Sequence, residues 1–197
     1  MIVHCAVLLK APRAGYVKTR LASEIGELHA LRLYRLMAGR VLAALQATGA
    51  PTTIWYAPPE ARPEMWRWLG QEWDLRPQAS GDLGARLAAA ARAAPEGTGW
   101  LAVGGDCPDL TSELLLQAAE VLKTHEVVLG PAFDGGYYLI GGRVPLPDLF
   151  SGIPWGTDQV LQATRERLQR DGVAWEELPA LRDVDTADDA RATRLLT

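Results

Sequence analysis

Apolar runs of strand length alternate along this chain with stretches of helical period. Residues 2–9 form a nearly unbroken apolar run, the mark of a strand buried on both faces. A loop rich in Pro, Gly and basic residues occupies 10–20. A helix follows over 28–47, with Leu28, Leu31, Leu36, Val41, Leu42 and Leu45 read as its inner side, and Gly49-Ala50-Pro51 stops it. Residues 52–56 read as a second strand, 60–69 as a short helix and 73–77 as a weaker third strand. Gly81-Asp82-Leu83-Gly84 opens a helix to about residue 94. Residues 101–103 are a central strand, 111–123 a helix and 127–129 another strand. This β-α-β rhythm predicts a three-layer α/β/α fold on a mostly parallel sheet.

The rhythm breaks at 130–136, which is too short for a crossover helix, so 137–140 is expected to return as an antiparallel strand. Thr157 is read as the N-cap of a helix over 158–170, Asp171-Gly172 as its stop and 173–178 as the last strand. The connection 141–156 is long and rich in Pro and Gly, as functional loops often are.

The 197 residues suffice for one domain, 1–197, with a sizeable core. A 48% hydrophobic share, 22% charged residues and a net charge of -4 give no general attraction to nucleic acid or anionic membranes. Any phosphate must be gripped locally. The first apolar run is too short for a membrane span and lacks a signal-peptide cleavage region, which implies a cytoplasmic location. Cys5 and Cys107 have no paired or metal-ligand spacing and read as buried free thiols.

Candidate chemistry concentrates where strands end. Gly104-Gly105-Asp106-Cys107-Pro108-Asp109 follows the central strand, and Pro108 ends the ladder, so Asp106 is held at the rim where open α/β sheets bind ligands. A carboxylate there suits a divalent metal carrying phosphates; Asp106 and Asp109 would equally serve to make the turn and cap the next helix. The loop after the first strand carries four cations, Lys10, Arg13, Lys18 and Arg20, and two of the chain's three lysines. Such a loop can offer backbone N–H groups and side-chain charge to a polyphosphate, although it is neither a Walker A loop nor a GxGxxG turn.

A second acidic run, Asp183-Val184-Asp185-Thr186-Ala187-Asp188-Asp189, follows the last strand. Asp183 or Asp185 could share a metal with Asp106, while Asp185 or Thr186 caps a terminal helix and Asp188 and Asp189 complement its dipole. Asp134-Gly135-Gly136-Tyr137-Tyr138 suits an acceptor site in which Asp134 orients or deprotonates a hydroxyl, and suits a tight hairpin turn equally well. Trp155, taken as exposed before a helix N-terminus, is a candidate stacking wall. His4, His29 and His125 have no ligand spacing.

In their order these blocks resemble the GT-A-fold nucleotide-diphospho-sugar transferase superfamily, and within it a glycosyltransferase-like family related to phospholactate guanylyltransferases and molybdenum-cofactor nucleotidyltransferases. The resemblance rests on Lys10-Ala11-Pro12 through Gly15, Val17-Lys18-Thr19-Arg20-Leu21, Gly81-Asp82-Leu83-Gly84-Ala85-Arg86-Leu87, Gly105-Asp106-Cys107-Pro108, Gly130-Pro131 with Asp134-Gly135-Gly136-Tyr137-Tyr138, and Asp183-Val184-Asp185-Thr186. It implies that Lys10, Lys18 and Arg20 meet donor phosphates, that Gly15 belongs to the same nucleotide-binding set, and that Gly81, Gly84 and Arg86 lie by the nucleobase. It further implies that Asp106 and Asp185 hold Mg²⁺ or Mn²⁺. Lys18, Asp106 and Asp134 are then the expected catalytic residues, with Asp134, Gly135, Gly136, Tyr137 and Trp155 around a small-molecule acceptor. Sugar nucleotidyltransferases usually carry a GGxGTR-type loop after the first strand, where this chain has Lys-Ala-Pro-Arg-Ala-Gly. The expected reaction is transfer of a sugar from a nucleotide-sugar donor. Nucleotidyl transfer with release of pyrophosphate is the alternative, and non-catalytic nucleotide binding on the same fold the third.

Overall fold

The computed structural model describes residues 1–146 and 148–196. Its centre is a seven-stranded sheet. The strands are β1 (Val3–Lys10), β2 (Thr52–Ala57), β3 (Asp74–Pro77), β4 (Gly99–Gly104), β5 (Val127–Pro131), β6 (Tyr137–Gly142) and β7 (Trp175–Glu177), in the order β3-β2-β1-β4-β6-β5-β7. β6 is antiparallel to both β4 and β5, and the other described pairs are parallel. The short 132–136 connection explains this, because it allows only a direct return.

Helices α1 (Thr19–Ile25), α2 (Glu27–Thr48), α3 (Arg62–Leu69), α4 (Leu83–Arg92), α5 (Ser112–Val121), α6 (Val160–Arg170) and α7 (Ala187–Ala192) accompany the sheet. One apolar cluster packs Val41, Leu42 and Leu45 of α2 and Leu115 and Ala118 of α5 against Val7 and Leu9 of β1 and Val103 of β4. A second gathers Leu87 and Ala91 of α4 and Leu161 and Leu168 of α6 with Ala102 and Ile140. The alternating side chains of β4 thus feed two cores, which is why residues 100–103 are all buried. Both cysteines are free and buried. Among the described residues no helix is long and apolar enough to cross a membrane.

Three local expectations need correction. The inner side of α2 is Ala30, Leu33, Tyr34, Met37, Ala38, Val41, Leu42 and Leu45, whereas Leu28 and Leu36 are 67% and 46% exposed. The actual spacing of three and four residues runs through alanines, which a count of leucines passes over. Helix α1 takes the last two residues of the expected loop and the stretch between it and the helix expected from 28; it forms because Val17 and Leu21 pack under Ala30, Tyr34 and Met37 and against Val184 and Ala187. Thr157 is not the N-cap of α6. Gln159 holds that position, and the Thr157 hydroxyl accepts from the Gln159 N–H and donates to the Pro154 carbonyl, closing a turn one step earlier.

Candidate active site

β1 leads by way of α2 to β2 on one side, while the parallel β4 lies on the other, so the order in which the chain adds strands reverses between β1 and β4. In α/β sheets the crevice beyond the carboxyl ends of two such strands is the natural ligand site. Lys18 follows β1 and Asp106 follows β4, and both arrive at this crevice. Two glycines aim Asp106. A Cβ at Gly104 would stand 2.7 Å from Asp106 Oδ1, and one at Gly105 would stand 2.3 Å from Leu9 Cδ2. The first absence leaves room for the carboxylate, and the second lets the chain close onto β1.

Asp185 comes from far along the chain. Leu181 bridges Ala132 in parallel beyond β5, and the Val184 N–H then donates to the Asp106 carbonyl at 3.0 Å, which sets Asp185 beside Asp106. Beyond it Thr186 and Asp189 form a reciprocal capping box on α7, with Asp189 also accepting from Arg182. The capping and site readings of this acidic run divide the residues between them: Thr186 and Asp189 cap, while Asp185 faces Lys18.

Lys18 Nζ donates to Asp106 Oδ2 at 2.9 Å and to Asp185 Oδ1 at 2.7 Å. Its side chain is 7% exposed, against 38% and 39% for the carboxylates. Burial alone would pull the ammonium down, but the two carboxylates outweigh it and hold Lys18 above its ordinary range. In turn, burial pushes Asp106 up and Lys18 overrides it, keeping Asp106 below the usual carboxylate range. Lys18 also has a left-handed backbone, φ 48° and ψ 50°, which a non-glycine residue adopts at a cost of about 1–2 kcal/mol. Backbone strain of that kind is characteristic of functional positions.

The other sequence candidates group unevenly around this centre. Arg20 approaches Asp185 Oδ2 at 3.7 Å with 78% of its side chain exposed. Lys10 sits 5.9 Å from the Tyr16 ring centroid, and its positive charge helps depress Asp106. Gly15, at φ 72°, packs on the Glu27 carboxylate. Arg13, one of the four cations of that loop, is committed elsewhere, bidentate to Glu64 at 2.8 and 2.7 Å. Asp134 is exposed on the β5–β6 turn, where its Oδ1 accepts from the Gly136 N–H at 2.8 Å. Gly135 abuts the Asp158 backbone so closely that no Cβ would fit. Burial, followed by the charges of Asp134, Asp106 and Asp185, pushes Asp183 up to about 7, so the turn and the acidic run share one electrostatic neighbourhood.

A further group gathers around the start of α4. The Asp82 side chain caps α4, and Gly81, at φ 106°, would bring a Cβ to 2.9 Å from the Ala85 Cβ. An Arg86 guanidinium N–H donates to the side-chain amide oxygen of Gln78 at 3.3 Å while its Nε is buried without a partner. Trp155 is half-buried, not exposed. Its indole occupies the space a Gly84 Cβ would need, at 2.6 Å from Nε1, and stands edge-on to Tyr137 at 6.3 Å. The glycine at position 84 is therefore explained by Trp155, and Trp155 and Tyr137 pack against the second core. A cavity of about 490 Å³ lined by Pro12, Arg35, Glu64, Arg67 and Trp68 includes none of the candidate site residues.

Two residues that fix the crevice were not singled out from the sequence. The buried Tyr34 hydroxyl accepts from the Lys10 N–H and donates to the Lys10 carbonyl, at 2.8 Å each, pinning the start of the basic loop. The Gln78 amide donates to the carbonyls of Leu9 and Trp55, joining β1 and β2 at their ends. Tyr34 lies on the inner α2 spacing, which would have flagged a buried hydroxyl in need of a partner.

This sheet, with its single antiparallel strand and its crevice at the switch point, is the fold of nucleotide-diphospho-sugar transferases. The chain belongs to the DUF2064 family, described as uncharacterized proteins conserved in bacteria, whose model matches residues 40–157. A comparison with curated proteins gives no match. Among solved structures, a protein of Desulfovibrio desulfuricans G20 provisionally named a nucleotide-diphospho-sugar transferase is 36% identical. The match covers 98% of this chain and 87% of that one at a TM-score of 0.91. A nucleotidyl transferase of a Methanothermobacter species is 18% identical with a TM-score of 0.64, covering 96% and 95% of the two chains. A Mycobacterium tuberculosis H37Rv protein solved with manganese is 19% identical, covers 96% of each chain and gives a TM-score of 0.56. The last two share the fold.

Proposed function

We propose that this protein is a nucleotide-using transferase that moves a sugar from a nucleotide-sugar donor to a small acceptor with the aid of Mg²⁺ or Mn²⁺. The observation that carries this reading is the meeting of Lys18, Asp106 and Asp185 at the switch point, a cation already held by two hard oxygen donors. Among the described residues no three His, Cys, Asp or Glu side chains form a metal-binding group. Two carboxylates fit Mg²⁺ or Mn²⁺, which are commonly held by one or two carboxylates and completed by substrate phosphates. Asp106 and Asp185 would hold the ion, which would neutralise charge on the leaving phosphates. The names of the solved relatives, nucleotide-diphospho-sugar transferase and nucleotidyl transferase, and the manganese of the mycobacterial structure support the same class.

In this reading Lys10, Lys18 and Arg20 contact the donor phosphates, where charge-assisted contacts stabilise the leaving group more than the ground state. Gly81 and Arg86 line the nucleobase side, and Gly84, covered by Trp155, supports them from beneath. Asp134, with one oxygen accepting from Gly136 and its side chain exposed, serves the acceptor as a base beside its hydroxyl. Gly135, Gly136, Tyr137 and Trp155 shape the wall behind it.

A thermal-shift panel of nucleoside triphosphates and nucleotide sugars, with and without Mn²⁺, tests the reading. A ligand at 100 times its Kd stabilises the fold by about 2.7 kcal/mol. Stabilised mixtures are then assayed for products. Release of a nucleoside diphosphate supports sugar transfer, release of pyrophosphate replaces it by nucleotidyl transfer, and tight binding with neither product leaves a nucleotide-binding protein without turnover.

A further inference from the structure

The cation between Asp106 and Asp185 belongs to the chain itself. Each carboxylate spends one oxygen on Lys18 Nζ, at 2.9 and 2.7 Å. A divalent ion bound by the same pair would sit about 2.0–2.6 Å from its oxygens. The two cations would then stand within one small, half-buried space, where like charges repel far more strongly than in water. Lys18 Nζ already fills the space between the two carboxylates, so it has to move. Its long stem permits that, and the cations beside it, Lys10 and Arg20, mark where an anion would be received: Lys10 adds its charge at Asp106, and Arg20 is mostly exposed next to Asp185.

We propose that Lys18 holds the metal's place between Asp106 and Asp185, and that the phosphates of the incoming nucleotide draw it away, so that metal and nucleotide bind interdependently. The proposal rests on the metal and phosphate assignments given under the proposed function. In the free protein the lysine balances two carboxylates that would otherwise face one another. In the loaded protein that balance passes to the divalent ion, and the lysine is balanced in turn by phosphate. Lys18 is therefore a positioning residue for binding order as well as a phosphate ligand. By linkage, whatever factor nucleotide contributes to metal affinity, metal contributes equally to nucleotide affinity.

Mn²⁺ binding without nucleotide, followed by the electron paramagnetic resonance signal of the free ion, is the direct test. Lys18→Met keeps the apolar stem and removes the charge, and is expected to bind Mn²⁺ at least tenfold more tightly than the wild type. Affinity equal to or weaker than the wild type's overturns the proposal. Asp106→Asn separates this from the underlying assignment: if it leaves Mn²⁺ binding unchanged in both backgrounds, the metal site itself is misplaced. If it abolishes the binding while Lys18→Met gives no gain, only the exchange is wrong. A second titration, with inorganic pyrophosphate at Mn²⁺ concentrations that fill each variant's metal site, reads the other half. The wild type is expected to bind it and Lys18→Met to lose at least tenfold; no wild-type binding, or no loss in the variant, overturns the transfer to phosphate. Melting curves establish that the variants fold. Should Lys18→Met not fold, Lys18→Asn replaces it, since Asn tolerates the left-handed backbone and is too short to span both carboxylates.

Discussion

Replacing Gly105 by Ala adds one methyl group where the site joins the core. The new Cβ would lie 2.3 Å from Leu9 Cδ2 and 3.6 Å from the Ala38 Cβ, so it meets the centre of the β1–α2 packing and not solvent. Gly105 does not have a left-handed backbone, so alanine brings no conformational penalty of its own and the effect measures the contact alone. Restoring ordinary van der Waals separation requires Leu9 or the Gly105 backbone to shift by about 1–1.5 Å in a close-packed interior. Overpacking of this kind costs about 1–3 kcal/mol. For a chain of this size each kcal/mol lowers Tm by about 2–4 °C, giving an expected fall of roughly 2–12 °C. Calorimetry of a double-mutant cycle makes the cause visible. Leu9→Ala alone should cost about 2–5 kcal/mol. Together with Gly105→Ala it should cost less than the sum by about 1–3 kcal/mol, because the methyl fills the cavity left by Leu9. The displaced backbone carries Asp106, so Mn²⁺ affinity should fall in Gly105→Ala and recover in the double variant. A Tm within 1 °C of the wild type, or strict additivity, would refute the idea that this glycine is kept for close approach to Leu9.

Two further variants probe the chemistry. Arg20→Ala should leave Tm nearly unchanged, since the side chain is 78% exposed. It should weaken di- and triphosphate binding by about 10- to 100-fold relative to the parent nucleoside; equal losses for both, read by calorimetric titration, would assign Arg20 to loop structure instead. Asp134→Asn should preserve donor and metal affinity while lowering sugar transfer by about 10²- to 10⁴-fold. If turnover is unchanged and only Tm falls, Asp134 merely closes the β5–β6 turn through its bond to Gly136.

Much of the fold was legible in the order of apolar runs, because a parallel sheet buried on both faces writes itself as unbroken hydrophobic segments. The antiparallel return of β6 was legible for a different reason: the linker before it cannot hold a crossover helix. What misled was local. In α2 the leucines at 28 and 36 outweighed the alanines at 30 and 38, although spacing and not side-chain size decides which face a helix buries. In α1, a seven-residue helix has too few turns to show a period, and it exists only because Val17 and Leu21 find α2 and α7 above them.

The site divides along the same line. Asp106 and the basic loop could be named from the chain alone, since each directly follows an apolar run and strand ends are where α/β sheets present side chains. The partnership of Lys18 with Asp106, 88 positions away, and with Asp185, 167 positions away, could not. It depends on β4 lying beside β1 and on a backbone bond from Val184 to Asp106, neither of which leaves a periodic trace. The same holds for Trp155 over Gly84 and for Arg13 on Glu64: the sequence supplies an indole, a glycine and a guanidinium, and only the packed chain decides which neighbour each one meets. Periodicity reports how a segment is buried, because burial repeats along it. The pairing of one charge with another is a single event between distant segments, decided by the three-dimensional path that brings them together.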